Sequence, residues 1–180
     1  AAHGILLIVD EVQTGNGRTG KLYAYMHYDI SPDIVSTAKG LAGGLPLGAT
    51  LFSEKTADAL GAGDHGSTFG GNPVCCAAAL SVLERLDDAF LASVREKGEK
   101  IKAALQGQNG IKSVSGMGMM IGVETEKPAA EIVSECLARG VLCLTAHEKV
   151  RLLPALNIPD DLFDKALDVL IKACGGRKTE

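Results

Sequence analysis

Ile5-Leu-Leu-Ile-Val-Asp-Glu-Val-Gln13 is the stretch whose reading decides the fold. Five apolar residues, Ile5 to Val9, end on two carboxylates, Asp10 and Glu11. A short apolar run bounded by Gly4 and by charge reads as a strand buried on both faces. A parallel strand ending on a carboxylate delivers it to the C-terminal edge of its sheet, where open α/β sheets bind ligands. A second run, Asp33-Ile-Val-Ser-Thr-Ala38, ends on Lys39 and is followed by Gly40, Gly43 and Gly44. Two neighbouring strands thus carry an acid and an amine toward one edge.

Composition narrows the classes that remain. The chain has 180 residues, enough for one or two domains with a sizeable core. A hydrophobic content of 46% with 22 glycines favours an α/β protein over a helical bundle. The net charge of −4 comes without a basic block, which speaks against nucleic acid and against an anionic membrane surface as partners. No apolar stretch approaches the ~20 residues that a membrane span needs. Five cysteines, odd in number and without a CxxC, read as reduced thiols in a cytoplasmic protein. No His, Cys, Asp and Glu cluster has ligand spacing, so no metal is expected. The opening Ala1-Ala-His-Gly4 reads as a helix tail entering a strand, and the chain as a piece without its N-terminal part.

Periodicity divides the chain into residues 1–88 and 89–180. In the first part short apolar runs alternate with glycine-rich loops. Strands are expected at 34–37 and 47–52, helical turns at 22–28 and a short helix at 54–60. Asn72 is a good N-cap and Pro73 suits the first helical position. The next helix puts Ala79, Val82, Leu83 and Leu86 on one face, with Asp87-Asp88 as a kink or cap. Leu91, Val94, Ile101 and Leu105 continue the helical spacing, so this stretch links the two parts. Beyond residue 110 the pattern is α+β. Gly116 to Glu124 reads as one strand, and further strands fall at 141–144 and 150–153. A helix carries Ile132, Val133, Cys136 and Leu137, ended by Gly140; another carries Leu162, Phe163, Ala166, Leu167, Leu170 and Ile171, stopped by Gly175-Gly176.

Three chemistries compete for the opening strand. Gly15-Asn-Gly-Arg-Thr-Gly20 matches the dinucleotide fingerprint, but Asp10 to Thr14 intervene and no good helix follows. Asp10-Glu11 after an apolar run suits a nucleotide hydrolase, yet no GxxxxGK[ST] occurs. A carboxylate and a lysine in one pocket suit pyridoxal 5'-phosphate (PLP), which takes a lysine on its aldehyde and an acid on its ring nitrogen.

Several motifs carry a resemblance. Asp10-Glu-Val-Gln-Thr-Gly15, Gly17-Arg-Thr-Gly20, Pro32-Asp-Ile34, Lys39 with Gly43-Gly44, and Gly66-Ser-Thr-Phe-Gly-Gly-Asn-Pro73 stand in the order and spacing of a known family. Together they resemble the class III (ω) PLP-dependent aminotransferases of fold type I. The resemblance implies part of the large parallel-sheet domain over 1–88 and the small C-terminal α+β domain over 89–180. Residues 116–122 and 142–157 are most similar to members that act on acetylated ornithine. Ala155 departs from the proline usual there.

The same resemblance implies roles for single residues. Asp10 pairs with the ring nitrogen, and Lys39 binds the cofactor covalently and moves protons. Gln13 meets the ring hydroxyl; a turn glutamine is the plainer reading. Thr68, beside Ser67, reaches a phosphate oxygen across a homodimer interface; a loop-capping threonine is the alternative. Arg151, flanked by Val150 and Leu152, turns its fork to a substrate carboxylate rather than to a surface ion pair. Glu11 is structural, Arg18 is a loop anchor or a solvated side chain, and His65 packs a loop. The implied reaction is a ping-pong transfer of the δ-amino group of N2-acetyl-L-ornithine to 2-oxoglutarate, a step of arginine biosynthesis. Succinylornithine, ornithine or 4-aminobutyrate are the other donors. A non-catalytic chain that keeps the fold for assembly is the reading from another class, and the intact Asp10 and Lys39 argue against it.

Overall fold

A computed structural model describes residues 4–177. The helix tail expected over residues 1–3 lies outside the described residues. The chain forms two compact units, Ala1–Leu91 and Ala92–Glu180.

The first unit is built on a three-stranded sheet in the order β1-β2-β3. β1 (Ile8–Asp10) runs parallel to β2 (Ile34–Thr37), and β2 pairs antiparallel with β3 (Ala49–Phe52). β2 alternates as a half-covered strand does, with Val35 and Thr37 buried. Short 3₁₀ helices occupy Ala24–His27, Lys39–Ala42 and Glu54–Ala59. The N-cap expected at Asn72 forms. Its Oδ1 accepts from the N–H of Val74 at 3.0 Å and of Cys75 at 3.3 Å, with Pro73 opening α1 (Pro73–Leu83). The small side chain of Ala79 lets α1 approach Leu41 and Ala42, with Leu47 and Ala78 beside them. Leu83, expected on the buried face of α1, is exposed.

The apolar opening run departs from its reading. Ile5 is 74% and Ile8 63% exposed, and Leu6 and Leu7 are also exposed. β1 is an edge strand, hydrogen-bonded on one side only. Burial on both faces needs a layer on each, and within this unit Ile5 to Ile8 receive neither.

The helical stretch after residue 73 is two helices. Asp87 Oδ1 accepts the Phe90 N–H at 2.7 Å and so caps α2 (Asp88–Leu105) instead of kinking one long helix.

The second unit is an antiparallel sheet of four strands in the order β4-β5-β7-β6, with α2 entering it and α3 and α4 completing it. The strands are β4 (Ile111–Met117), β5 (Met120–Thr125), β6 (Leu144–Ala146) and β7 (Lys149–Leu152). The helices are α3 (Ala129–Ala138) and α4 (Asp160–Cys174). Residues 116–124, read as a single strand, are the hairpin of β4 and β5. Gly116 pairs with Ile121, and its φ of +133° brings the chain so close that a Cβ would stand 2.1 Å from the Met120 carbonyl oxygen. Two strands sit one to three residues from the expected 141–144 and 150–153. The core is dense: Val94, Ile101, Leu105, Ile121, Val123, Ile132, Cys136, Val150, Phe163 and Ile171 are almost wholly buried. Leu137 and Leu162, expected on the inner faces of α3 and α4, are exposed. α4 stops where the N–H groups of Gly175 and Gly176 donate to the Ile171 carbonyl at 3.2 and 2.9 Å. Among the described residues, no helix is long and apolar enough to cross a membrane.

Candidate active site

Parallel pairing of β1 with β2 sets Asp10 opposite Ser36 at the C-terminal ends of both strands. Ser36 Oγ donates to Asp10 Oδ1 at 3.3 Å, and the Val12 N–H donates to the same oxygen at 2.9 Å. Among the described residues no donor engages the other carboxylate oxygen. Three residues beyond Ser36, Lys39 opens a 3₁₀ helix with φ +48°, a left-handed conformation that costs a non-glycine residue roughly 1–2 kcal/mol. Its side chain is exposed, and among the described residues its ammonium has no hydrogen bond or ion pair. The two groups read from the sequence therefore share one sheet edge.

Behind that edge lies a buried framework. Glu11, fully buried, accepts the Thr14 hydroxyl at 2.5 Å and the Tyr25 N–H at 2.8 Å, and its own N–H donates to the Ser36 carbonyl at 2.9 Å. The structural role expected for Glu11 is met by these bonds, which tie the loop after β1 to β2. Gly15 passes so near that a Cβ would stand 2.7 Å from the Glu11 carbonyl oxygen and 3.0 Å from the Tyr23 ring. Tyr23 is buried, which raises its pKa above the ordinary value, and it hydrogen-bonds with Thr37. Arg18 is half-buried, and burial lowers its guanidinium pKa. It is therefore not the freely solvated arginine of the alternative reading.

Asn16 is the side chain that sequence reading passed over. It is 7% exposed, and its Nδ2 donates to Thr37 Oγ1 at 3.1 Å and to the Ala38 carbonyl at 2.9 Å. Its Oδ1 is buried and, among the described residues, has no hydrogen-bond partner. The available signal was its type and place: an asparagine between Gly15 and Gly17 suits the left-handed backbone seen there, φ +54°.

Gln13 is half-buried in the turn after β1. Thr68 lies in an exposed turn of the same unit, beside Phe69, which is also exposed, and His65 in that loop is exposed rather than packed. Arg151 belongs to the second unit. It lies on β7 opposite Gly122 and Leu144, while its neighbour Val150 is buried on the other face. Its Nη2 is buried and, among the described residues, has no hydrogen-bond partner. A desolvated, unpartnered guanidinium nitrogen is suited to an anionic ligand. Among the described residues, no group of three or more His, Cys, Asp or Glu is arranged to hold a metal ion.

A primary amine and a half-engaged carboxylate that follow two adjacent parallel strands suit a carbonyl-bearing pyridine in their donor set: an amine can take a carbonyl and an acid a ring N–H. The aminotransferase class-III profile matches residues 1–174. The chain belongs to the class III aminotransferases, and its α/β fold is that of the fold type I PLP-dependent transferases.

Curated relatives include acetylornithine aminotransferase of Haemophilus ducreyi, 54% identical over 92% of this chain and 43% of that protein. The mitochondrial acetylornithine aminotransferase of Alnus glutinosa is 46% identical over 94% of this chain and 39% of its own length. Among solved structures, ornithine aminotransferase of Toxoplasma gondii aligns with a TM-score of 0.88 at 33% identity, covering 96% of this chain and 44% of that one. Acetylornithine aminotransferase of Elizabethkingia anophelis aligns at 0.85 and 32%, over 96% and 46%. The chain spans under half the length of these relatives.

Proposed function

We propose that this chain contributes to an aminotransferase that moves the δ-amino group of N2-acetyl-L-ornithine to 2-oxoglutarate with PLP, in arginine biosynthesis. The observation that supports the reading is that Asp10 ends β1 opposite Ser36 of the parallel β2, with Lys39 three residues beyond Ser36 in left-handed backbone. Residues 1–88 belong to the large PLP-binding domain and 89–180 to the small domain. The protein works as a cytoplasmic homodimer.

When bound, PLP supplies an aldehyde that captures amines and a protonated ring that accepts the electron pair freed from a C–H bond. Asp10 holds the proton on the ring nitrogen. Lys39 Nζ would hold the cofactor by its aldehyde and would serve as the base that moves a proton at the substrate carbon. Gln13 would meet the ring hydroxyl, and Thr68 would reach a phosphate oxygen across a homodimer interface. Arg151 holds the carboxylate of glutamate or 2-oxoglutarate. The relatives at 46–54% identity support the acetylated donor. The structural likeness to ornithine aminotransferase supports ornithine as the second reading.

The test is borohydride reduction of the full-length protein with PLP, followed by peptide mapping, beside an assay of glutamate formed from N2-acetylornithine and 2-oxoglutarate. Fixation at Lys39, with loss of both fixation and turnover in Lys39→Ala, is the expected result. Fixation at any other lysine overturns the assignment.

A further inference from the structure

We infer that Asn16 is the positioning residue that sets the aim of the Lys39 amine, acting through the peptide bond between Ala38 and Lys39. The inference rests on the reading of Lys39 as the cofactor lysine. The plane of that peptide is set by Ala38 ψ, −144°, and Lys39 φ, +48°. Its oxygen is the Ala38 carbonyl, which the Asn16 amide holds at 2.9 Å. Fixing that oxygen fixes both torsions, and Lys39 φ sets the direction in which the lysine side chain leaves the backbone.

The clamp has one orientation. A carbonyl only accepts, so the amide nitrogen must face Ala38. Its second hydrogen goes to Thr37 Oγ1, itself buried. The amide oxygen is then left buried and unpartnered. Asn16 also reaches past the lysine: a Cβ at Gly40 would meet the Asn16 Cβ at 3.5 Å. One buried side chain thus bonds Thr37 and Ala38 before Lys39 and lies near Gly40 after it, where an added Cβ would come within van der Waals contact. Left-handed backbone at a residue with a side chain persists only where its surroundings over-determine it. Without the amide, the peptide is free to rotate and Lys39 to relax to negative φ, which swings the amine away from its place.

The test uses the full-length protein freed of cofactor and then given PLP. Asn16→Gly keeps positive φ accessible and deletes only the amide. Asn16→Asp keeps the shape but sets an acceptor against the Ala38 carbonyl. Two quantities are followed: the rate of borohydride-fixable attachment at Lys39, and the pH midpoint of the visible absorbance of the attached cofactor. A displacement of the order of 1 Å costs about a hundredfold in a positioned reaction, so slowing by about tenfold or more is expected in both variants, with the pH midpoint moved. Attachment at wild-type rate with an unmoved midpoint in both variants overturns the inference, even if they melt at lower temperature, because that is what a packing role alone would give. Should Asn16→Gly fail to fold, Asn16→Asp decides. Attachment of the unmutated protein at another lysine overturns the reading of Lys39 and this inference with it.

Discussion

In the second unit, antiparallel strands and α-helices enclose a continuous set of buried side chains, from Val94 on α2 to Ile171 on α4. In the first unit, three short strands and three 3₁₀ helices support one α-helix, and little of the apolar surface is covered. Of the nineteen exposed large hydrophobics among the described residues, fifteen fall in the first unit and four in the second. The ionisable pair at the sheet edge sits in the less covered unit, at the end of its only parallel pairing among the described residues. The contrast separates two jobs of a sequence. The second unit closes its own core, whereas the first holds reactive groups in a backbone that packing alone would not choose.

The largest expected effect falls on Arg151, the residue of the well-packed unit to which the proposed function gives a role. Arg151→Ala in the full-length protein should raise the KM for 2-oxoglutarate by about a hundredfold or more, since a carboxylate loses a charge-assisted pair in a desolvated place. Its melting temperature should hold, because the Arg151 Nη2 has no hydrogen-bond partner among the described residues to lose. Steady-state kinetics with unchanged KM would confine the chemistry to the first unit.

Glu11→Ala attacks the framework of the first unit. It strands the Tyr25 N–H and the Thr14 hydroxyl, and roughly 3 kcal/mol of stability should go, read from urea unfolding. A loss under about 0.5 kcal/mol, the range of ordinary surface changes, would mean that this unit is not held by buried polar bonds.

Gly98→Ala attacks the second unit by packing. In an exposed helix the change would gain about 1 kcal/mol. Here the new Cβ would stand 2.3 Å from the Gly118 carbonyl oxygen, and backbone cannot yield cheaply. Steric cost should win, with a net loss of about 2 kcal/mol and a melting point lower by several degrees. A stabilised variant would show that α2 and the β4–β5 turn have room between them.

The smallest effect is a pH dependence in the first unit. The Leu7 N–H at 2.8 Å, and then Lys55 at 3.1 Å, hold the Asp33 carboxyl below its ordinary 3.8. A depressed carboxyl contributes stability that is present above its unfolded pKa and lost as pH falls through the folded one. The gap in urea midpoint between the unmutated chain and Asp33→Asn should therefore be open at pH 6 and close below about pH 4. A gap that persists at pH 3 would assign it to shape rather than charge.

Much of this contrast was legible in the residues. β2 was read over its full length because Ile34, Val35 and Thr37 are β-branched, flanked by Asp33 and by the glycines after Lys39. Asn72-Pro73 announced α1, since cap chemistry is local. The edge position of Asp10 and Lys39 followed from strands that end on ionisable groups. The hairpin at 116–124 was missed because Gly116, Met117 and Gly118 make the turn look like part of one strand. Exposure of Ile5 to Ile8 was missed because a run of side chains reports what could cover it, not what does. The Asn16 clamp was invisible because its partners, Thr37 and Ala38, are distant in sequence and one of them is a backbone carbonyl.

Lys39 stands where thermodynamics alone would put a glycine. In left-handed backbone, Lys39→Gly would relieve local strain, and a chain shaped only by resistance to unfolding would drift toward it. This chain carries a lysine there. On the proposed reading of Lys39, that position is a trade-off: a small loss of stability at one residue in exchange for an amine held at the strand end.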